Sequence, residues 1–169
     1  GGFNTFYNTI DFTREMKTLP RAVQASLIDH ELLHAEQSYA VIQTYGIDAY
    51  VSALKTRAMR LLPLEAKYKN CSPDEIRKIV EEWINTDSIK KTFSGAINAP
   101  KIDKNSELGK KAKEYLDAIA NYVPLGRDGM FVTVSKDYQR NLLEVEAYNK
   151  QRKTLIATTI LENLNFSCV

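Results

Sequence analysis

The chain has 169 residues, 44% hydrophobic and 26% charged, values ordinary for one globular domain able to bury a core and unlike those of a disordered tract. A formal net charge of +2, with dispersed lysines and no basic stripe interleaved with aromatics, argues against a nucleic-acid partner, and no run approaches the roughly 18 apolar residues that cross a bilayer. The sequence begins Gly1-Gly2 without a methionine, as a processed chain or a fragment of a longer one does, so residues 1–169 are read as one domain with no legible targeting segment.

The stretch Phe3 to Phe12 is aromatic, β-branched and partly alternating, and predicts a strand. Pro20 suits the first turn of a helix, and Val23, Leu27, His30, His34, Val41 and Tyr45 return to one side of a helix over about 21–45 that Gly46 ends. A second helix is predicted over 47–68, with Pro63 placed to kink or split it. Ser72-Pro73-Asp74-Glu75 is a helix start with a capping serine, proline at the first position and an acid three residues on. The helix it opens carries Ile76, Ile79, Val80, Trp83 and Ile84. Residues 87–105, with Gly95, Pro100 and several Ser and Asn, read as loop. A helix follows over 106–122, then a turn at Pro124–Gly129, a strand at Met130–Val134 able to pair with the N-terminal one, and a last helix over 136–163. The predicted fold is predominantly α (α+β), two long helices with a small β ribbon.

Only two histidines occur, and both lie in His30-Glu31-Leu32-Leu33-His34. Four residues apart on a helix, two imidazoles share a face and can reach one metal ion. Glu31 lies about 100° round the axis from His30, beside the space where a metal-bound water sits. A zinc centre that does chemistry takes three protein ligands and leaves one position to water. With the histidines used, the third must be a carboxylate or, less favourably, a cysteine. A third histidine downstream, which metzincins require, is absent, and so is a second Glu-x-x-His unit for a di-iron site. The last predicted helix offers two acids in Glu144-Val145-Glu146-Ala147-Tyr148-Asn149, with a small alanine that lets another helix approach. Glu36 and Gln37 read as a surface pair, and Asp29 takes no role.

The HExxH run followed by a helix bearing Glu-x-Glu-Ala resembles the gluzincin metallopeptidases. The likeness is greatest to the compact minimal gluzincins and to membrane-protease relatives whose second motif reads Glu-x-x-Ala-Asp. It covers two short segments, about 20–45 and 140–152. It implies a zincin-like fold, Zn2+ held by His30, His34 and Glu144, and Glu146 as a nearby acid and the alternative ligand. Where such families place an aspartate that orients a zinc histidine, this chain has Tyr148; its hydroxyl or Asn149 is the substitute the sequence offers.

The implied activity is zinc-dependent hydrolysis of a peptide bond in a peptide or protein substrate, with Glu31 as general base and a strand beside the metal to receive the chain. A tyrosine or Arg127 is placed to stabilise the oxyanion. The alternatives are a metallopeptidase-like domain that binds zinc or a partner without cleaving, and a helical interaction module with a chance motif. Cys71 and Cys168 form no CxxC pair; they read either as thiols in a reducing compartment or as one disulfide in an exported protein. Oligomeric state leaves no trace in the sequence.

Overall fold

Between Pro20 and Gly46 the chain forms one 25-residue helix, α1 (Arg21–Tyr45), around which the protein is organised. Gly46 ends it at φ 89°, donating its N–H to the Ile42 carbonyl, a left-handed conformation that glycine adopts at little cost. The computed structural model describes residues 2–123 and 140–166, with side chains described as far as residue 161. The predicted turn at 124–129 with Arg127, the strand at 130–134, the first residues of the predicted last helix and Cys168 lie outside the described residues. Cys71 is half-buried.

The other elements are β1 (Gly2–Asn4), β2 (Thr9–Asp11), α2 (Ile47–Leu61), α3 (Pro73–Trp83), α4 (Thr86–Thr92), α5 (Ser94–Asn98), α6 (Glu107–Asn121) and α7 (Leu142–Phe166). The protein is mostly helical, with a two-stranded antiparallel sheet. α7 packs along α1, and α6 packs against α1, α2 and α7. Flanked in this way, α1 is not buried along one stripe alone: the consecutive residues Ala40, Val41 and Ile42 are all buried, as expected of a helix enclosed on several sides.

Three stretches depart from the sequence reading. Residues 3–12 are not one strand but a hairpin, with Phe3 opposite Ile10 and Asn4 opposite Thr9. Asn4 Oδ1 accepts from the N–H groups of Phe6 and Tyr7, and Asn8 adopts φ 50°, the turn chemistry that asparagine favours. The helix from Ile47 stops at Leu61 and continues as 3-10 turns at Leu62–Leu64 and Ala66–Tyr68, since Pro63 brings no N–H to an α-helical ladder. Residues 87–105 are not mainly loop. Asn85 Oδ1 caps α4 by accepting from the Ser88 N–H, and Ile89, Phe93 and Ala96 bury one face of α4 and α5. The Ser72 start holds in full, as a reciprocal capping box with Glu75.

Phe93 is fully buried, edge-on to Tyr39 and Tyr50 with ring centroids 5.9 and 5.2 Å away. Phe93→Ala should cost about 3–5 kcal/mol of stability, read as a lowered midpoint in urea unfolding. The hairpin is tied onto this helical body at three points. Asn8 Nδ2 donates to the Tyr39 hydroxyl, the Tyr50 hydroxyl lies 3.3 Å from the Thr5 carbonyl, and Arg57 donates to Thr5 Oγ1. Burial pushes the Tyr50 phenol up to about 12, so it stays a donor. These ties bring the hairpin over the middle of α1, where the two histidines lie.

Candidate metal centre

His30 and His34, one turn apart on α1, face the first turns of α7 across the α1–α7 contact. Ala147, fully buried, has the small side chain that lets the two helices approach. Their Nε2 atoms are 3.2 Å apart. Glu144, 1% exposed, places Oε2 3.4 Å from His30 Nε2 and Oε1 3.4 Å from His34 Nε2. Glu31, also buried, has a carboxylate oxygen within 4.8 Å of ligating nitrogens of both imidazoles. His30, Glu31 and His34 thus form a buried group able to bind a metal ion, and of the two carboxylates Glu144 is held closer to both rings.

The spacing fits a metal. A tetrahedral ion with ligands at about 2.0–2.1 Å has donor-to-donor edges of about 3.3 Å; the two imidazole nitrogens are 3.2 Å apart, and the Glu144 carboxylate spans them, with one oxygen 3.4 Å from His30 and the other 3.4 Å from His34. The separations to Glu144 are long for hydrogen bonds, yet two imidazoles and a carboxylate have been drawn together out of water. A cation bound among them would offset part of the cost of that burial.

The tautomer of His34 follows from a residue the sequence reading misplaced. Gln37 is not a surface partner of Glu36 but is 1% exposed, in the α1–α7 interface. Its Nε2 lies 3.3 Å from the Leu143 carbonyl and 3.5 Å from Glu146 Oε2, and both of these only accept, so the amide nitrogen must face them. Gln37 Oε1 then faces His34 Nδ1 at 3.0 Å, and Nδ1 carries the proton. The Nε2 lone pair of His34 is left for a metal. Gln37 sits three residues after His34 and seven after His30, a helical spacing that puts it on the histidine face; that was the signal available. Gln37→Ala should weaken metal affinity about 10–100-fold with the ligands intact, measured by competition against a chromogenic chelator.

Glu146 holds Gln37 in turn. It accepts from the Tyr115 hydroxyl at 2.7 Å and pairs with Lys111 Nζ at 2.6 Å. The hydrogen bond to Glu146 raises the Lys111 ammonium, and burial, then Glu146, raises the Tyr115 phenol. Neither imidazole lies within ion-pair distance of Glu146 among the described residues. Tyr122 donates to Glu144 Oε1 at 2.8 Å, another contact absent from the sequence reading.

His30 is held differently. The Tyr148 ring meets it edge-on, centroids 4.7 Å apart, and its buried Nδ1 has no hydrogen-bond partner among the described residues. Tyr148 therefore packs against His30 through its ring rather than its hydroxyl, and Asn149 is exposed. Asp29 accepts from Thr154 Oγ1 at 2.5 Å and joins α1 to α7 further along. Burial by itself pushes the His34 imidazole down, but the adjacent Glu144 carboxylate, with Gln37 and Glu31, outweighs it and holds His34 above its ordinary value of 6.5.

The centre opens into a largely apolar cavity of about 570 Å³ that His30, Glu31, His34 and Glu144 line together with Phe3 and Phe6 of the hairpin. No protein-family model, curated protein or solved structure matches the chain. No described helix is long and apolar enough to cross a membrane.

Proposed function

We propose that the protein is a zinc-dependent peptidase with a zincin-like, gluzincin-type centre. The observation that carries this reading is the cluster of His30, His34 and Glu144 at 3.2–3.4 Å, with a further buried carboxylate, Glu31, beside it on a cavity of about 570 Å³. The donor set, two imidazoles and one carboxylate, is that of hydrolytic zinc. His30, His34 and Glu144 would hold the ion. Zinc bound there supplies a Lewis acid and lowers the pKa of a coordinated water from near 16 toward about 7.

Glu31 takes the proton from the attacking water and passes it to the departing amine, so the carboxylate is regenerated within each turnover. Gln37 keeps the His34 ring in the tautomer that leaves Nε2 unprotonated. Among the described residues β1 pairs with β2 alone, and its Gly2 and Phe3 line the cavity; an extended substrate would add along the β1 edge beside the metal centre. The reading is tested by incubating zinc-loaded protein with a mixed peptide library. Cleavage that a chelator abolishes and zinc restores supports it; intact peptides under all conditions contradict it.

One observation favours a metal-binding domain without cleavage: His30 Nδ1 has no partner among the described residues, so this ring lacks the orienting contact that His34 has. Stoichiometric zinc with an uncleaved library would select that reading.

A pH dependence follows from His34. A raised pKa means that protonation of His34 stabilises the metal-free protein fully below about 6.5, and that this stabilisation is lost as pH rises through the raised value. Zinc competes with that proton. Its affinity should therefore climb with pH above 6.5, and calorimetry in buffers of different ionisation enthalpy should register proton release on binding near neutral pH.

A further inference from the structure

Arg57, on α2, lines the same cavity as the metal centre and is half-buried. Among the described residues its hydrogen-bond acceptor is Thr5 Oγ1 at 3.3 Å, and its guanidinium carbon lies 5.5 Å from the centroid of the Tyr122 ring. No carboxylate lies within ion-pair distance of it among the described residues, and Glu65, which also lines the cavity, is exposed. The other arginine nearby has a structural task, since Arg60 reaches the Ala120 and Tyr122 carbonyls at the C-terminal end of α6. Arg57 has none of that kind beyond its bond to Thr5. Burial lowers the guanidinium from its ordinary value, yet a guanidinium stays charged at any working pH.

A cation drawn partly out of water with most of its N–H fork unspent is costly unless an anion meets it. Tyr122 fixes where that anion would lie relative to the chemistry. Its ring faces the guanidinium and its hydroxyl holds Glu144, so the fork and the metal carboxylate flank a single tyrosine. The cavity they share is lined largely by apolar groups, Phe6, Leu61, Ile119 and Leu143 among them.

We propose that Arg57 is the anion-recognition residue of this cavity and takes a carboxylate of an apolar peptide. Either the C-terminal carboxylate or an acidic side chain carries the same chemistry, and a planar fork receives either in bidentate fashion. The peptide as ligand class rests on the peptidase reading; the anion site itself does not.

Trp83 is the single tryptophan and lines the cavity, so its fluorescence reports binding without turnover. Three blocked dipeptides of similar apolar bulk are titrated: one with a free C-terminal carboxylate, one with a C-terminal amide, and one amide bearing an aspartate side chain. Because a carboxylate can also ligate zinc, each titration is run with and without the metal. In both conditions at least one carboxylate-bearing peptide should bind about tenfold or more tighter than the neutral amide, and which one does identifies the source of the carboxylate. Arg57→Met should reduce that preference to within about twofold, whereas Thr5→Val, which removes only the acceptor from Arg57, should keep it. Arg57→Lys, should the methionine variant not fold, should cut the preference severalfold by losing the fork. Equal binding of all three peptides, or a preference that survives both Arg57 variants, overturns the proposal. Carboxylate preference without any peptide hydrolysis would overturn the peptidase reading and leave Arg57 in this role; hydrolysis indifferent to charge would do the reverse.

Discussion

Glu31→Gln should keep zinc near one per chain while lowering peptide hydrolysis at least about 100-fold, the usual weight of a positioned general base. The substitution keeps the shape of the side chain and one carbonyl oxygen but removes the basic carboxylate. Glu144 stands 3.4 Å from an Nε2 nitrogen of each imidazole, through a different oxygen in each case, and on the proposed reading this carboxylate is the third ligand. Glu31 follows His30 directly along α1 and, like Glu144, lines the cavity; on the peptidase reading it is the carboxylate left over to act as base. The fold should tolerate the change, since Glu31 is 8% exposed and a neutral amide costs less to bury than a carboxylate. Zinc lost from Glu31→Gln, together with activity, would assign Glu31 to the metal instead.

Glu144→Ala should strip the metal. It removes one of three donors, leaves two imidazoles and water, and deprives the Tyr122 hydroxyl of its acceptor at 2.8 Å. The expected loss exceeds the roughly 100-fold upper range for a residue that only orients a ligand, so zinc should fall well below stoichiometric amounts after dialysis. Glu146→Ala is the matched control. Among the described residues Glu146 reaches the centre only through Gln37, with Tyr115 and Lys111 behind it, so its loss should weaken zinc about tenfold without emptying the site. A chain that keeps zinc as Glu144→Ala and loses it as Glu146→Ala would shift the ligand by two residues along α7 and leave the class of site unchanged.

The parts of the site legible in the sequence are those fixed by helical arithmetic within one element. His30, Glu31 and His34 needed only the period of an α-helix, and Ser72 with Glu75 needed only the pairing of a cap. Gln37 was legible by the same arithmetic, yet the acceptors that orient its amide, the Leu143 carbonyl and Glu146, lie 106 and 109 residues away, and no local pattern announces them. The hairpin was hidden because the aromatic run from Phe3 to Phe12 looks like strand, while its turn is made by Asn4 and Asn8, which that count of β-formers passes over. α4 and α5 were hidden for a different reason. Helices this short are not stable alone and exist because Ile89, Phe93 and Ala96 are anchored in the core, while the glycine, serine and asparagine between and around them signal loop. Tyr122 and Arg57 could not be singled out among nine tyrosines and 23 basic residues until the helices were assembled.

The most direct measurement is the zinc stoichiometry of the intact protein, by elemental analysis after zinc-replete purification and exhaustive dialysis, for wild type and His30→Ala in parallel. One zinc per chain in the wild type and close to none in the variant is the predicted result. A wild-type protein free of any transition metal, or a His30→Ala variant that retains its zinc in full, would contradict a centre built from His30, His34 and Glu144.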